Sequence, residues 1–328
     1  MLRLKTVRWV WTTSLAAALA CGAAAQTAGA VKQLAEGRQL RSQGRYAEAR
    51  TVFQALLRGA LTDAPDSRLA VVLDDLGIDE EDCGNYAEAE AAFNHALSTT
   101  YSSIADDPLP VALKTHLAEL YTAELRPEAA EPLLRHAAAA VQSAALADRK
   151  ALSVAYLDLA VTCTMLRRFQ EAESILRQAQ GLMETEYGPS HPALAAGLLS
   201  YAGLLTAEHR YAEAVVPAER AWQILQASPI AIPRPYLASA LGVLGMVYHH
   251  TGRTAEAKSY ARQAVDMAEA SLGPQHPRLG LYLANYAAIL KQAGHRSEAK
   301  AIRKRADEIR DQNPAAGTGY TINVAALR

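Results

Sequence analysis

Phenylalanine and tryptophan each occur only three times in 328 residues, and aromatic residues together make up 6% of the chain. A core this poor in large rings has to be built from aliphatic and small side chains. Neither sign of charge dominates, with 33 basic residues against 34 acidic. There is no basic patch of the kind that follows a phosphate backbone, so nucleic acid is not expected as a partner. A glycine-rich phosphate loop, a nucleophile elbow and paired metal-ligand spacing are all missing. The chain is therefore not expected to be an enzyme or to hold a cofactor or metal. Catalysis would require polar groups from distant stretches to converge in space.

The residues that are present point to helices. The chain is 50% hydrophobic and 20% charged, values of an ordered soluble protein. Alanine is abundant; it is the best helix former and lets helices pack closely. A single globular core stops growing near about 250–300 residues, so a chain of this length is either several domains or a solenoid.

The first residues stand apart. Arg3, Lys5 and Arg8 form a basic front, no charge follows from Trp9 to Val31, and Ala23-Ala24-Ala25 supplies small residues for cleavage. Residues 1–25 read as a secretory signal peptide and are set apart from the fold. The mature chain, from Gln26, is then slightly acidic, with no stable membrane insertion. It is expected to be exported, as a periplasmic or secreted protein. Two alternatives remain: a lipoprotein attached through Cys21, and an uncleaved anchor, since the uncharged run could span about 30 Å.

From there the sequence repeats itself. "GRYAEAR" begins at Gly44, "GNYAEAE" at Gly84, "HRYAEAV" at His209 and "GRTAEAK" at Gly252. The turn column runs Gly44, Gly84, Leu125, Arg167, His209, Gly252 and Gly294, at intervals of 40 to 43 residues. Seven units at a nearly fixed period mark a solenoid. Apolar residues spaced i, i+3, i+4 lie on both sides of each turn, so each unit is expected to be two helices. One column is always small (Gly37, Gly77, Ala118, Ala160, Ala202, Gly245, Ala287) and another is always alanine (Ala49 through Ala299). Small residues at a crossing let the two helices of a hairpin approach; a Leu there would overpack by roughly 1–3 kcal/mol. Glycine at the turn supplies a left-handed residue after the first helix. Units three to five lack it, so their turns are expected to differ. Glu80 stands where Tyr121 and Tyr248 stand elsewhere, so the second unit is expected to have a looser first helix.

Leu244-Gly245 with Tyr248, Ala49 with Phe53, and Ala89 with Phe93 resemble the two helix signatures of the tetratricopeptide repeat. The period exceeds the usual length of about 34 residues. It is similar to the longer variant of kinesin light chains and many bacterial proteins, whose "GPxHP" linker appears here as "GPSHP" (Gly188 to Pro192) and "GPQHP" (Gly273 to Pro277). Each glycine is expected to be left-handed, each histidine extended before proline, and Pro192 and Pro277 to open helices. The resemblance implies an all-α fold, a right-handed superhelix of about seven helical hairpins over residues 26–312. The charged last helix serves as its cap. Residues 313–328 form a tail, in which Tyr320, Ile322 and Val324 give a weak strand signal. Cys83 and Cys163 fall two repeats apart, beyond disulfide reach, and are expected to be free.

The resemblance implies an interaction scaffold or adaptor that holds a peptide or protein segment on its concave face, lined by the first helix of each unit. The small columns fix the rotation of those helices. The inward residues are then Asp74, Asp75, Ile78, Glu81, Thr115 and Glu119 in the first half, and Leu157, Val161, Leu199, Met246, His249 and Asn285 in the later half. In kinesin light chains an Asn before the Leu-Ala step resembles a clamp on the peptide backbone. Only Asn285 matches it; Asp75, His116, Asp158, Ser200 and Val243 hold the equivalent places. A peptide with basic residues at one end and aliphatic ones at the other is expected. The alternative is a regulatory or catalytic component with a small-molecule pocket between repeats. The acidic run "DDLGIDEEDCG" from Asp74 is expected to be a solvated face, because a helix splays these side chains around its axis. His249 and His250 point about 100° apart on a helix, so they are not expected to share a metal.

Overall fold

A computed structural model describes residues 26–43, 45–60, 67–100, 109–143, 149–229 and 232–312. The expected signal peptide, Cys21, the turn residue Gly44 and the tail lie outside the described residues. Within them are fourteen helices and no strand. Paired in chain order, they make seven hairpins: α1 (Gln26–Ser42) with α2 (Tyr46–Ala60), α3 (Ser67–Cys83) with α4 (Tyr86–Thr99), and α5 (Leu109–Ala123) with α6 (Pro127–Ser143). Then come α7 (Arg149–Met165) with α8 (Phe169–Tyr187), α9 (Pro192–Ala207) with α10 (Tyr211–Ala227), α11 (Arg234–His250) with α12 (Thr254–Leu272), and α13 (Pro277–Gln292) with α14 (Arg296–Gln312). Each helix packs on the next in sequence, and the first helices of successive hairpins also touch. The result is the all-α solenoid that the repeat implies. Its main apolar core runs from Leu34 to Ile309, and a second cluster around Ile78, Phe93 and Leu120 joins hairpins 2 and 3.

The alanine column lies at the centre of each hairpin. Ala49, Ala89, Ala130, Ala172, Ala214 and Ala257 have no exposed surface. The small column has a more specific role than mutual approach. A methyl group on Gly37 would stand 2.5 Å from the Phe53 ring, and one on Gly77 would stand 2.7 Å from that of Phe93. In the first two hairpins glycine therefore makes room for a phenylalanine; in the sixth, Gly245 lies against the backbone of Ala261.

The turns of units three to five do not differ, contrary to expectation. Leu125, Arg167 and His209 have φ of 60°, 59° and 62°, beside 86° at Gly84 and 79° at Gly252. All close the same hydrogen bond, in which the residue after the turn donates to a carbonyl near the end of the first helix. Asn85 donates to Glu80 O at 2.8 Å, Arg126 to Tyr121 O at 2.8 Å, Arg168 to Cys163 O at 2.9 Å and Arg210 to Leu205 O at 2.8 Å. Packing of the hairpin outweighs the local cost of a left-handed side chain, roughly 1–2 kcal/mol.

The two proline linkers also depart in detail. His191 and His276 are extended, and Pro192 and Pro277 open their helices. Gly188 and Gly273 have φ of 87° and 91°, but their ψ of 168° and 163° is extended, a region open only to glycine. Each histidine also caps the helix it precedes: His191 Nδ1 accepts from Ala193 N and His276 Nδ1 from Arg278 N, both at 3.1 Å. Cys83 and Cys163 are free, and burial pushes both thiols up to about 11.

Candidate functional site

The acidic run on α3 is not a solvated face. Asp74, Asp75, Asp79, Glu80, Glu81 and Asp82 are between 0% and 8% exposed. Burying carboxylates is costly unless they find cations or donors, and here they are met from four other helices. From α1, Arg38 binds Asp75 Oδ2 at 2.7–2.8 Å and Arg41 binds Asp75 Oδ1 at 3.1 Å. From α2, Arg50 binds Glu80 at 2.9 Å, and from α5, His116 Nδ1 lies 2.6 Å from Asp74 Oδ1. From α13, Arg278 binds Glu81 at 3.2 Å.

Glu80 does not loosen its helix. Between later hairpins, an arginine after the turn reaches back to a glutamate of the preceding second helix: Arg126 to Glu90 at 3.0 Å, and Arg168 to Glu131. Between hairpins 1 and 2 the charges are exchanged. Arg50 occupies the column of Glu90, and Glu80 takes its guanidinium as well as the amide of Asn85 at 2.6 Å. Asp79 is less well served. It has no exposed surface, neither oxygen has a hydrogen-bond partner, and Arg50 stands 3.9 Å away. Burial pushes its carboxyl up to about 7, a shift that Arg41 and Arg50 only partly oppose.

The other residues expected to face inward are also largely enclosed. Ile78, Thr115, Leu157, Leu199, Met246, His249 and Asn285 are all at most 7% exposed, while Glu119 and Val161 are half-buried. On α9 the residues from Leu194 to Ser200, and on α11 those from Ala238 to His249, are buried without interruption. Helices apolar all round belong inside a fold. The column that includes Asn285 stitches neighbouring hairpins together: Asp75 to hairpin 1, and His116 to hairpin 2. Nearby, the hydroxyls of Ser239 and Tyr282 join hairpins 6 and 7 at 3.1 Å. The rings of His249 and His250 meet edge to face, with centroids 5.1 Å apart. His250 stacks on Tyr211 with centroids 4.0 Å apart, and burial, then His249 and His209, lower it to about 4.

One joint crosses the solenoid. His276 Nε2 lies 3.0 Å from Asp82 O, and the Arg278–Glu81 pair beside it links residues 197 apart in sequence. A methyl group on Gly84 would be 2.7 Å from Pro277 Cδ, so only glycine admits the proline. The N-terminus of α13 thus sits on the C-terminus of α3, skipping four hairpins, and the two helix dipoles attract there. Nothing local in the sequence pointed to this contact.

Seven stacked helical hairpins define a repeat solenoid. Tetratricopeptide-repeat family models match residues 152–193 and 236–312, so these stretches are tetratricopeptide repeats, and the other hairpins share their helical-hairpin architecture. No curated protein matches the sequence. Among solved structures, BtubC (BKLC) from P. vanneervenii is 21% identical, with a TM-score of 0.50 over 74% of this chain and 89% of its own. The apo form of RapI has a TM-score of 0.64 at 12% identity, over 87% of this chain and 98% of its own. NprR in complex with its cognate peptide NprX has a TM-score of 0.61 at 14% identity, over 90% of this chain and 82% of its own. These similarities concern the fold.

Proposed function

We propose that this chain is an exported, non-catalytic interaction scaffold that holds a peptide or protein segment on the concave face of its superhelix. The observation that supports this reading is the order of side chains along the first helices, on the side that the repeat register turns inward. These include Asp74, Asp75, Glu81 and half-buried Glu119 on α3 and α5, followed by Leu157, Val161 and Leu199 on α7 and α9. An acidic stretch leading into an aliphatic one suits a segment with aliphatic side chains at one end and, at the other, cations that exchange with the arginines and His116 already holding Asp74, Asp75 and Glu81. A structure with this fold, NprR, was solved with a peptide bound, which supports the same use of the fold here. Export rests on the basic front, the uncharged run and the small residues of positions 1–25.

Selection of a displayed random peptide library on residues 26–328 tests the reading. Enriched peptides should combine basic and aliphatic residues and lose affinity as salt rises. Enrichment of acidic peptides, or of none, would reject it. The intact mass of the exported protein tests the leader, since cleavage leaves a chain starting at Gln26.

A further inference from the structure

We propose that the joint between hairpins 2 and 7 is a latch that closes the concave face, and that an arginine or lysine of the ligand opens it by taking Glu81 from Arg278. The inference rests on the concave-face reading, but the latch itself can be measured without a ligand.

The joint is small. It includes the Arg278–Glu81 pair, the His276–Asp82 hydrogen bond and the contact of Pro277 with Gly84. Neighbouring hairpins, by contrast, share whole helix faces. Contacts of so few groups open at lower free energy than packed cores.

The other linker provides an internal comparison. His191 caps its helix as His276 does, but the ring then stacks on Tyr187 of its neighbouring helix, with centroids 4.7 Å apart. The linker motif alone does not produce a cross-solenoid contact; the acidic end of α3 does. Glu81 is 1% exposed, and its carboxylate stands beside the negative end of the α3 dipole. That is a site for a cation, and the guanidinium of Arg278 fills it. Burial opposes that charge, but Tyr86, Glu81, Asp82 and Tyr282 hold it in place. A cationic side chain at the end of a peptide offers Glu81 the same chemistry.

The test uses the full mature chain and a synthetic peptide with two arginines followed by alternating leucine and alanine. Arg278→Ala should speed amide exchange at residues 80–84 about tenfold or more, and tighten the peptide by about tenfold as the open form becomes populated. Adding Glu81→Gln should leave the joint open but remove the gain in affinity. Arg278→Lys, checked by circular dichroism, should keep both exchange and affinity near those of the parent. Unchanged exchange in Arg278→Ala would overturn the latch whatever the ligand. Faster exchange without tighter binding would overturn displacement by a cation. Cross-links from the peptide to second helices alone would instead reject the concave-face reading, and the displacement with it.

Discussion

The imidazole of His276 reaches across 194 residues of chain to the carbonyl of Asp82, at 3.0 Å. Its Nδ1 accepts from the backbone of Arg278, so Nε2 carries the proton and donates. One ring therefore satisfies a donor at the start of α13 and a carbonyl at the end of α3, two of the groups every helix leaves open. His191 performs only the first of these roles. His191→Ala should cost about 1 kcal/mol, the worth of a cap. His276→Ala should cost roughly 1 kcal/mol more, because a carbonyl also loses its donor. Urea unfolding of both variants measures the difference, and equal losses would show that the cross-solenoid bond contributes nothing.

The left-handed turns give a second prediction. Leu125 and Arg167 hold the conformation that glycine holds at Gly84 and Gly252. Leu125→Gly and Arg167→Gly remove side-chain strain but add freedom to the unfolded chain. The net expectation is a gain of about 0.5–1 kcal/mol for each. Gly188→Ala should destabilise by more than that, because its φ of 87° with extended ψ excludes a methyl group. Thermal unfolding of the three variants checks the signs.

Glycines inside helices should respond in opposite directions. Gly77→Ala places a methyl group 2.7 Å from the buried Phe93 ring and should cost roughly 1–3 kcal/mol. Adding Phe93→Leu should recover part of the loss. Gly181, inside α8, has nothing within 4 Å of an added methyl, so Gly181→Ala should stabilise by up to about 1 kcal/mol. Chemical denaturation distinguishes the cases.

Asp79 should make stability fall as pH rises. Its carboxyl titrates near 7 in the fold and near its ordinary 3.8 in the unfolded chain. Between those values the folded state holds the extra proton, so each rise in pH favours unfolding until the folded value is passed. Asp79→Asn should therefore stabilise by roughly 1–3 kcal/mol at pH 8 and by little near pH 4. His250 acts in the opposite direction. Its folded value of about 4 lies below its ordinary 6.5, so the stability it contributes is complete above 6.5 and lost as pH falls toward 4. Stability curves of Asp79→Asn and of His250→Gln separate the two effects.

The hairpins were legible because their determinants are local and repeated. The alanine column, the turn column and the linker prolines each shape the backbone within a few residues, although Pro277 also meets Gly84 across the solenoid. What escaped the sequence depends on partners far along the chain. The carboxylates of α3 looked like a wet surface because Arg38 and Arg41 lie 34–37 residues away and Arg278 lies 197 away. One signal was available. Aligning the repeats places Arg50 in the column of Glu90 and Glu80 in that of Tyr121, and opposite charges facing across a hairpin boundary imply a buried pair rather than a loose helix. The burial of the residues expected to face inward was not derivable, since it depends on how tightly the superhelix winds.

Photo-cross-linking tests the central claim most directly. A photoreactive side chain at Val161, half-buried on α7 and expected to face inward, is compared with one at Val216, 70% exposed on second helix α10. Each protein is exposed to its partners in an extract of the cells that make it, and the adducts are mapped by mass spectrometry. The account predicts one partner segment, rich in basic and aliphatic residues, attached at Val161 and absent at Val216. Specific adducts at Val216 with none at Val161 would contradict it.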